Sequence, residues 1–346
     1  MAKKNNLPLA LPYEGPGRPQ VLLLGNGLER MNDGGVDGST LTDAGKSWDE
    51  LVKALTVEGH VPLGEGDLAS VPFPLKYHLL SSRADGEYPL GAEGRRQEQA
   101  GLAKAVQDLG TVTNPALRRL PELGADHIFT TNYTYSLERA FHPRKNLLDA
   151  QTRSNLRFNY CQELTDKGNQ RRGGSYRLYS GYRAANLDGS QVDLWHIHGE
   201  CAVAGSIILG HDGYGRLVSR IVPVCGDPLK YKTLKSGKPY AFTSWPELFL
   251  FGDVYVLGLG LGISEFDLWW LLRRKQREEK GTGRVYFYTN DEKDRDRDLM
   301  LTALGVLMNP GGQARGIDHD AFYHRALDDI SARIADNRRQ RDAEQN

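Results

Sequence analysis

The chain reads as an α/β protein, a doubly wound parallel sheet of about six strands with helices on both faces and an inserted helical subdomain. Three observations predict it. Short β-rich runs recur along the 346 residues with helical patterns between them. Several of these runs are almost continuously apolar, as strands covered on both faces are. Two of them lead straight into glycine-rich turns, Leu24-Gly25-Asn26-Gly27-Leu28 and Gly258-Leu259-Gly260-Leu261-Gly262, as at strand-to-helix turns that approach a phosphate.

The strands expected in order are Gln20–Leu24, His127–Thr131, Asp193–His198, Ser206–Leu209, Asp253–Leu257 and Arg284–Thr289. Helices are announced by their caps. Ser47-Trp48-Asp49-Glu50 and Ser264-Glu265-Phe266-Asp267 both fit a reciprocal Ser-x-x-acid capping box ahead of an apolar run. The helix from Phe266 carries Leu268, Trp269, Leu271 and Leu272, then Arg273-Arg274-Lys275 near its end, where the helix dipole favours cations. Two stretches break the alternation. Residues 60–120 are mostly helical in pattern and predict the inserted subdomain. Residues 150–190 are polar, rich in Arg, Asn and Gly, with Tyr160, Tyr176, Tyr179 and Tyr182, and read as an exposed hairpin or lid. Residues 1–330 then form the domain, and 331–346 a charged tail, a frayed surface helix.

Composition narrows the function. Lys and Arg number 44 against 44 Asp and Glu, which gives no general nucleic-acid or membrane surface. The three cysteines, Cys161, Cys201 and Cys225, are odd in number and never closely paired, against a disulfide framework or a four-cysteine zinc module. Met1-Ala2-Lys3-Lys4-Asn5-Asn6 leads into Leu-Pro pairs, so no signal peptide is expected. The most apolar region, Leu248 to Ile263, is broken by Asp253 and several glycines, so no membrane span is expected. A cytoplasmic protein is the expectation.

Four segments can carry chemistry. The glycines of Gly25-Asn26-Gly27-Leu28 let the backbone approach a ligand and leave N–H groups for a phosphate, although such a turn is often only a turn. Phe129-Thr130-Thr131-Asn132-Tyr133-Thr134 closes a strand where α/β sheets bind ligands. Asn132 can donate and accept there without a charge to desolvate, and either Asn132 or Thr131 can instead cap the next helix. Leu194-Trp195-His196-Ile197-His198-Gly199-Glu200 puts two histidines on one strand face. They admit three readings: a metal pair completed by His211 or Asp212, a general base at His198, or two core histidines. Gly258, Gly260 and Ser264 repeat the logic of the first turn. Asn290, at the end of Tyr286-Phe287-Tyr288-Thr289-Asn290, can hold a ribose hydroxyl or cap the helix from Asp291.

Together and in this order, the segments resemble the SIR2 superfamily of NAD-binding proteins, in its bacterial SIR2-like branch. Gly25-Asn26-Gly27 is similar to that family's Gly-Ala-Gly phosphate turn, and Thr130-Thr131-Asn132-Tyr133 to its Thr-Thr-Asn-Tyr-Asp segment. Ile197-His198-Gly199 is similar to its His-Gly step, Gly258 to Ser264 with Asp267 to its later Gly-x-Ser turn, and Tyr288-Thr289-Asn290 to its adenosine-ribose strand end. The resemblance spans roughly residues 20–295. The chain departs from the pattern where Glu29 and Arg30 follow the first turn in place of a Ser, and where Thr134 stands for an Asp. The four zinc cysteines of the deacetylases have no counterpart, so no zinc is expected.

The resemblance implies a Rossmann-like NAD-binding domain that hydrolyses NAD to ADP-ribose and nicotinamide. Asn132 and His198 would be catalytic. Gly25, Asn26, Gly27, Leu28, Thr131, Gly258, Gly260, Ser264 and Asn290 would hold NAD, with Arg30 either a counter-charge or a surface ion pair. It further implies an antiphage effector that destroys NAD. Such an effector needs a separate sensor (an ATPase, an Argonaute-like protein or a nucleotide-binding subunit) and a homo- or hetero-oligomer. Two other classes stay open: a non-catalytic subunit binding NAD or ADP-ribose, and a metal-dependent hydrolase built on His196 and His198.

Overall fold

The computed structural model describes residues 18–31, a few positions between 71 and 77, and residues 91–160, 178–225, 242–278 and 282–345. In chain order these form β1 (Gln20–Leu24), α1 (Gly91–Leu109), α2 (Pro115–Arg118), β2 (His127–Thr130), α3 (Ser136–Phe141) and α4 (Ala150–Leu156). Then follow β3 (Arg157–Asn159), β4 (Ser180–Ala185), β5 (Gln191–His196), α5 (Gly210–Cys225), α6 (Trp245–Phe251) and β6 (Asp253–Leu257). The described chain ends with α7 (Phe266–Arg277), β7 (Val285–Tyr288), α8 (Arg295–Ala303), β8 (Leu307–Met308) and α9 (His319–Gln345).

One sheet joins eight strands in the order β3-β4-β5-β2-β1-β6-β7-β8. From β5 to β8 every pairing is parallel. Counted along the chain, those six parallel strands lie in the order third, second, first, fourth, fifth, sixth, which is the Rossmann arrangement with its switch point between β1 and β6. The register aligns the strand ends. Leu24 lies beside Thr130 and Leu257, Thr130 beside His196, and Leu257 beside Tyr288. Whatever follows these residues therefore collects along a single carboxyl edge.

Two cores hold the layers together. Alternate residues Val21, Leu23, Phe129, Trp195, Val254, Val256 and Phe287 pack against Leu217 of α5, Leu248 of α6 and Leu271 of α7. Their neighbours Leu22, Leu24, Ile128, Leu194, Tyr255 and Leu257 face the other way, onto Leu102 of α1, Leu117 of α2 and Ile330 of α9. Period-two alternation thus produces two apolar faces, each covered by helices. Among the described residues no helix is long and apolar enough to cross a membrane.

The structure differs from the sequence reading in several places. Ser206–Leu209 does not join the sheet. It leaves a short 3-10 turn over Ala204–Ser206, and Ile208 N–H donates to the His198 carbonyl at 2.8 Å, so the segment wraps the loop after β5. The sixth parallel strand is instead β8. The segment 150–190 forms α4 and the antiparallel strands β3 and β4, which extend the sheet beyond β5; residues 161–177 lie outside the described residues. Tyr182 is buried there, and its hydroxyl and the Arg157 guanidinium both donate to the buried Glu200. Of the 60–120 stretch, α1 and α2 are described, and Leu102 and Val106 enter the sheet's own core.

Local signals at helix ends were partly displaced. The Ser47–Glu50 box lies outside the described residues. A complete capping box appears at Ser244 and Glu247, opening α6. Lys275 of α7 does not serve its own helix end. Its ammonium is buried and donates to the carbonyls of Phe249, Leu250 and Gly252 at 2.9, 2.8 and 2.7 Å, closing the C-terminus of α6.

Residues 331–345 are not frayed. They continue α9, whose Ile334 is fully buried, and Asn337 Nδ2 donates to Gln20 Oε1 at 3.0 Å at the start of β1. Ile334→Ala should therefore destabilise the protein by about 2–5 kcal/mol in urea unfolding. A change below about 0.5 kcal/mol would mean that α9 does not belong to the core.

Candidate functional site

At the carboxyl edge the two glycine turns interlock. Gly25 N–H donates to Leu257 C=O at 3.0 Å and Gly27 N–H to Gly258 C=O at 2.8 Å. A Cβ on Gly25 would sit 2.4 Å from Gly258 O and 2.5 Å from Leu259 Cα, so only glycine allows this approach. The glycines serve the contact between turns, and these two N–H groups are not available to a phosphate. Leu28 is likewise a core residue, fully buried, with its carbonyl accepting from Asn114 Nδ2 at 2.8 Å. Asn26 stays half-buried on the turn. Gly260 is open, with nothing within 4 Å of the position a Cβ would take, and Ser264 is half-buried beyond it.

Asn132 stands one strand away. It does not cap a helix. Its backbone N–H donates to Thr130 Oγ1 at 3.0 Å, and its side-chain nitrogen faces Glu29 Oε1 at 2.6 Å and the Gly25 carbonyl at 3.4 Å. Thr131 is buried, its N–H on the Leu24 carbonyl at 3.1 Å. Glu29 is buried at the centre of this group. It also accepts from Thr134 Oγ1 at 3.0 and 2.9 Å and from Ser136 Oγ at 3.1 Å. Burial raises its carboxyl above the ordinary range, while the Thr134, Asn132 and Ser136 hydrogen bonds and the nearby His196 pull it back. Thr134, which replaces the Asp that the resemblance leads one to expect, thus faces a carboxylate brought from the first turn.

The two histidines part company. His196 is held by the Asn132 carbonyl at Nδ1 and by Glu138 Oε1 at Nε2, both at 2.9 Å. With both ring nitrogens engaged it has no lone pair for a metal. His198, also buried, pairs through Nε2 with Asp267 Oδ2 at 2.9 Å. Nε2–H donates to the carboxylate, which leaves the basic lone pair of the neutral ring on Nδ1. Burial disfavours the imidazolium, but the charge and hydrogen bond of Asp267, with Glu265, outweigh it and raise His198 above its usual pKa. Among the described residues no three His, Cys, Asp or Glu side chains gather to hold a metal ion.

Asp267 is therefore not the capping-box acid that its spacing predicts. Glu265 takes the N-cap position of α7 with no side-chain cap bond, and Asp267 is fully buried on His198. Asn290 is also committed elsewhere. Its Nδ2 donates to the Ile317 carbonyl at 2.7 Å and its Oδ1 accepts from Ile317 N–H at 3.2 Å, while Asp294 caps α8. Arg30 is exposed and its charge acts on Tyr323. Sequence reasoning missed Glu29, Glu138 and Glu265, and gave Asp267 another task. The only local signal for Glu29 was its place just after the first glycine turn.

A Rossmann-ordered sheet with polar side chains gathered along the carboxyl edge on both sides of its switch point belongs to the doubly wound α/β class, whose members bind ligands at that edge. The model of the SIR2-like domain family matches residues 126–307, more than half of the 346-residue chain, and the chain belongs to that family. The match covers Asn132, His198, the second glycine turn and Asp267, and at family level it points to NAD-related activity. No curated protein matches the chain.

Glu265 carries a pH test. Burial first, then the Asp267 charge, push its carboxyl up to about 7 from an ordinary 4.5, against the pull of His198 and a backbone hydrogen bond at Gly262. A folded carboxyl that binds its proton more tightly than the unfolded one contributes stability that is full below the unfolded pKa and is lost as pH rises through the folded one. Glu265→Gln should raise the melting midpoint by about 2–5 °C near pH 8 and change it little near pH 5. Equal effects at the two pH values would show that Glu265 is not held protonated.

Proposed function

We propose that the chain is an NAD glycohydrolase, converting NAD and water to ADP-ribose and nicotinamide. The observation that carries this reading is that Asn132, held by Glu29, and His198, paired with Asp267, each lie two residues beyond paired positions of adjacent parallel strands, on the edge where the glycine turns interlock and inside a chain of the SIR2-like domain family. The bond to break joins ribose C1′ to the pyridinium nitrogen. Nicotinamide leaves with the electron pair, and an oxocarbenium-like centre accepts water. Little nucleophilic push is needed, so the work lies in positioning, excluding bulk water and removing one proton.

Asn132 holds the ribose and the attacking water. His198 takes a proton at Nδ1 from that water or from a ribose hydroxyl, and Asp267 keeps the ring in the required tautomer and stabilises the imidazolium. The open backbone around Gly260, with Asn26 across the switch point, is where the pyrophosphate fits. Gly25 and Gly27 shape the turn rather than touch the ligand. Uncontrolled NAD loss is toxic. We therefore propose an antiphage effector, cytoplasmic, kept silent until a separate sensor protein or an oligomeric assembly activates it.

Under an activating condition, with its partner or in its oligomeric assembly, the protein incubated with NAD should release nicotinamide at rates that a chelator does not change. Asn132→Ala and His198→Ala should each lose about 100-fold or more in kcat. Asp267→Asn should lose about as much and move the acidic limb of the pH–rate profile to lower pH, because a base raised by its carboxylate becomes active only as pH rises through its pKa. Retained ADP-ribose binding without turnover under any activating condition would favour a binding subunit. Chelator sensitivity with protein-bound metal would favour metal-dependent hydrolysis.

A further inference from the structure

We infer that Asn132 acts in this site as a hydrogen-bond acceptor alone, and that Glu29 is the positioning residue that makes it so. The inference deepens the NAD-hydrolase reading and rests on it for its kinetic consequences. A side-chain amide has two N–H donors and one carbonyl oxygen, and its two ends differ in function. The nitrogen of Asn132 lies 2.6 Å from Glu29 Oε1 and 3.4 Å from the Gly25 carbonyl. A backbone carbonyl can only accept, so the NH₂ end must face these two groups. Both donors are then engaged, and Oδ1 is the group left for a ligand.

The rest of the residue is equally constrained. Its backbone N–H donates to Thr130 Oγ1 at 3.0 Å and its carbonyl accepts from His196 Nδ1 at 2.9 Å. A ligand group that meets Asn132 must therefore bring the proton itself. A ribose hydroxyl or a water qualifies; a phosphate oxygen or a carboxamide oxygen does not. Glu29 makes no such contact of its own. It is only 5% exposed, and its two oxygens already accept from Asn132, Thr134 and Ser136. It is a residue that aims another.

Four variants test this: Glu29→Ala, Glu29→Gln, Asn132→Asp and the double variant Glu29→Gln/Asn132→Asp. Each is read by kcat and KM for nicotinamide release, by ADP-ribose affinity in calorimetry and by melting midpoint. Glu29→Ala should lose about 100-fold in kcat, the scale of a misaimed group, with ADP-ribose affinity within about threefold of wild type. Glu29→Gln, whose amide oxygen still accepts from Asn132, should stay within about tenfold of wild-type kcat. Asn132→Asp turns an acceptor toward Glu29 and Gly25 and should be inactive. Adding Glu29→Gln restores a donor between positions 29 and 132 and should recover at least about tenfold.

A folded Glu29→Ala protein with wild-type kcat overturns the inference, and so does an absence of recovery in the double variant. Melting adds a readout that needs no turnover. Glu29→Ala and Asn132→Ala combined should lower the midpoint by clearly less than the sum of their separate effects, whereas strict additivity overturns the pairing. A wild-type protein that releases no nicotinamide under any activating condition sinks the hydrolase reading by itself and leaves the pairing of Glu29 with Asn132 to be decided by that melting cycle.

Discussion

Everything at the carboxyl edge depends on how closely β1 and β6 can end beside each other. The backbone of Gly25 lies against Gly258 and Leu259 at distances no side chain tolerates, and the turn N–H groups of Gly25 and Gly27 complete that contact. Because β1 is also hydrogen-bonded to β2, and β2 to β5, fixing this junction fixes where Asn132 and the His198 loop begin. A bulkier residue at the junction would not merely remove a ligand contact. It would part the two halves of the sheet at their switch point and shift Asn132 and the second turn relative to each other. On the scale of positioning effects, an ångström of such movement corresponds to about 100-fold in rate.

The edge is then lined from behind by carboxylates. Glu29 holds Asn132, Glu138 holds His196, and Asp267 holds His198, each fully or almost fully buried. Burying a carboxyl is costly unless its oxygens are satisfied. Here one oxygen of each meets a donor that belongs to the site, and both oxygens of Glu29 do. Among the described residues, Glu138 Oε2 and Asp267 Oδ1 stay buried without a hydrogen-bond partner. This arrangement keeps the side chains in a single orientation before a ligand arrives, the condition under which polar groups act without reorganising. Glu200 extends the pattern outward. It accepts from Tyr135 at 2.7 Å, from Tyr182 and from Arg157 at 3.1 Å, and so ties the antiparallel strands β3 and β4 to the loop two residues beyond His198.

The parallel sheet and the polar segments that its carboxyl edge collects could be read from the sequence because both are local. An apolar run followed by glycine or by Thr-Asn marks the carboxyl end of a buried strand wherever it occurs. What joins the site is not local. Glu29 meets Asn132 across 103 residues, Asp267 meets His198 across 69, and Glu138 meets His196 across 58. Asp267 shows the conflict most clearly, since its spacing from Ser264 fits a cap and a buried histidine claimed it instead. The misread elements have similar causes. Ser206–Leu209 has strand composition but is captured by the His198 carbonyl, β8 is only two residues long, and β3 and β4 lie in a stretch too polar to suggest a sheet. In α9 charged residues hide the stripe of Phe322, Ala326, Leu327, Ile330 and Ile334 that meets the core.

The placement of negative charge behind the site also fits the reaction proposed for it. In NAD the positive charge begins on the pyridinium ring, and as the glycosidic bond breaks it moves to the ribose. A carboxylate touching the ring would stabilise the ground state at least as well as the transition state and would gain little rate. In the reaction proposed, carboxylates one layer back, acting through Asn132 and His198, would orient neutral groups toward the ribose and the incoming water. Asn132 would present an oxygen and the deprotonated form of His198 a lone pair, so the substrate would meet two acceptors. Two acceptors suit a centre that is gaining positive charge while an attacking water gives up a proton, and they favour the later stage of the reaction over the bound substrate.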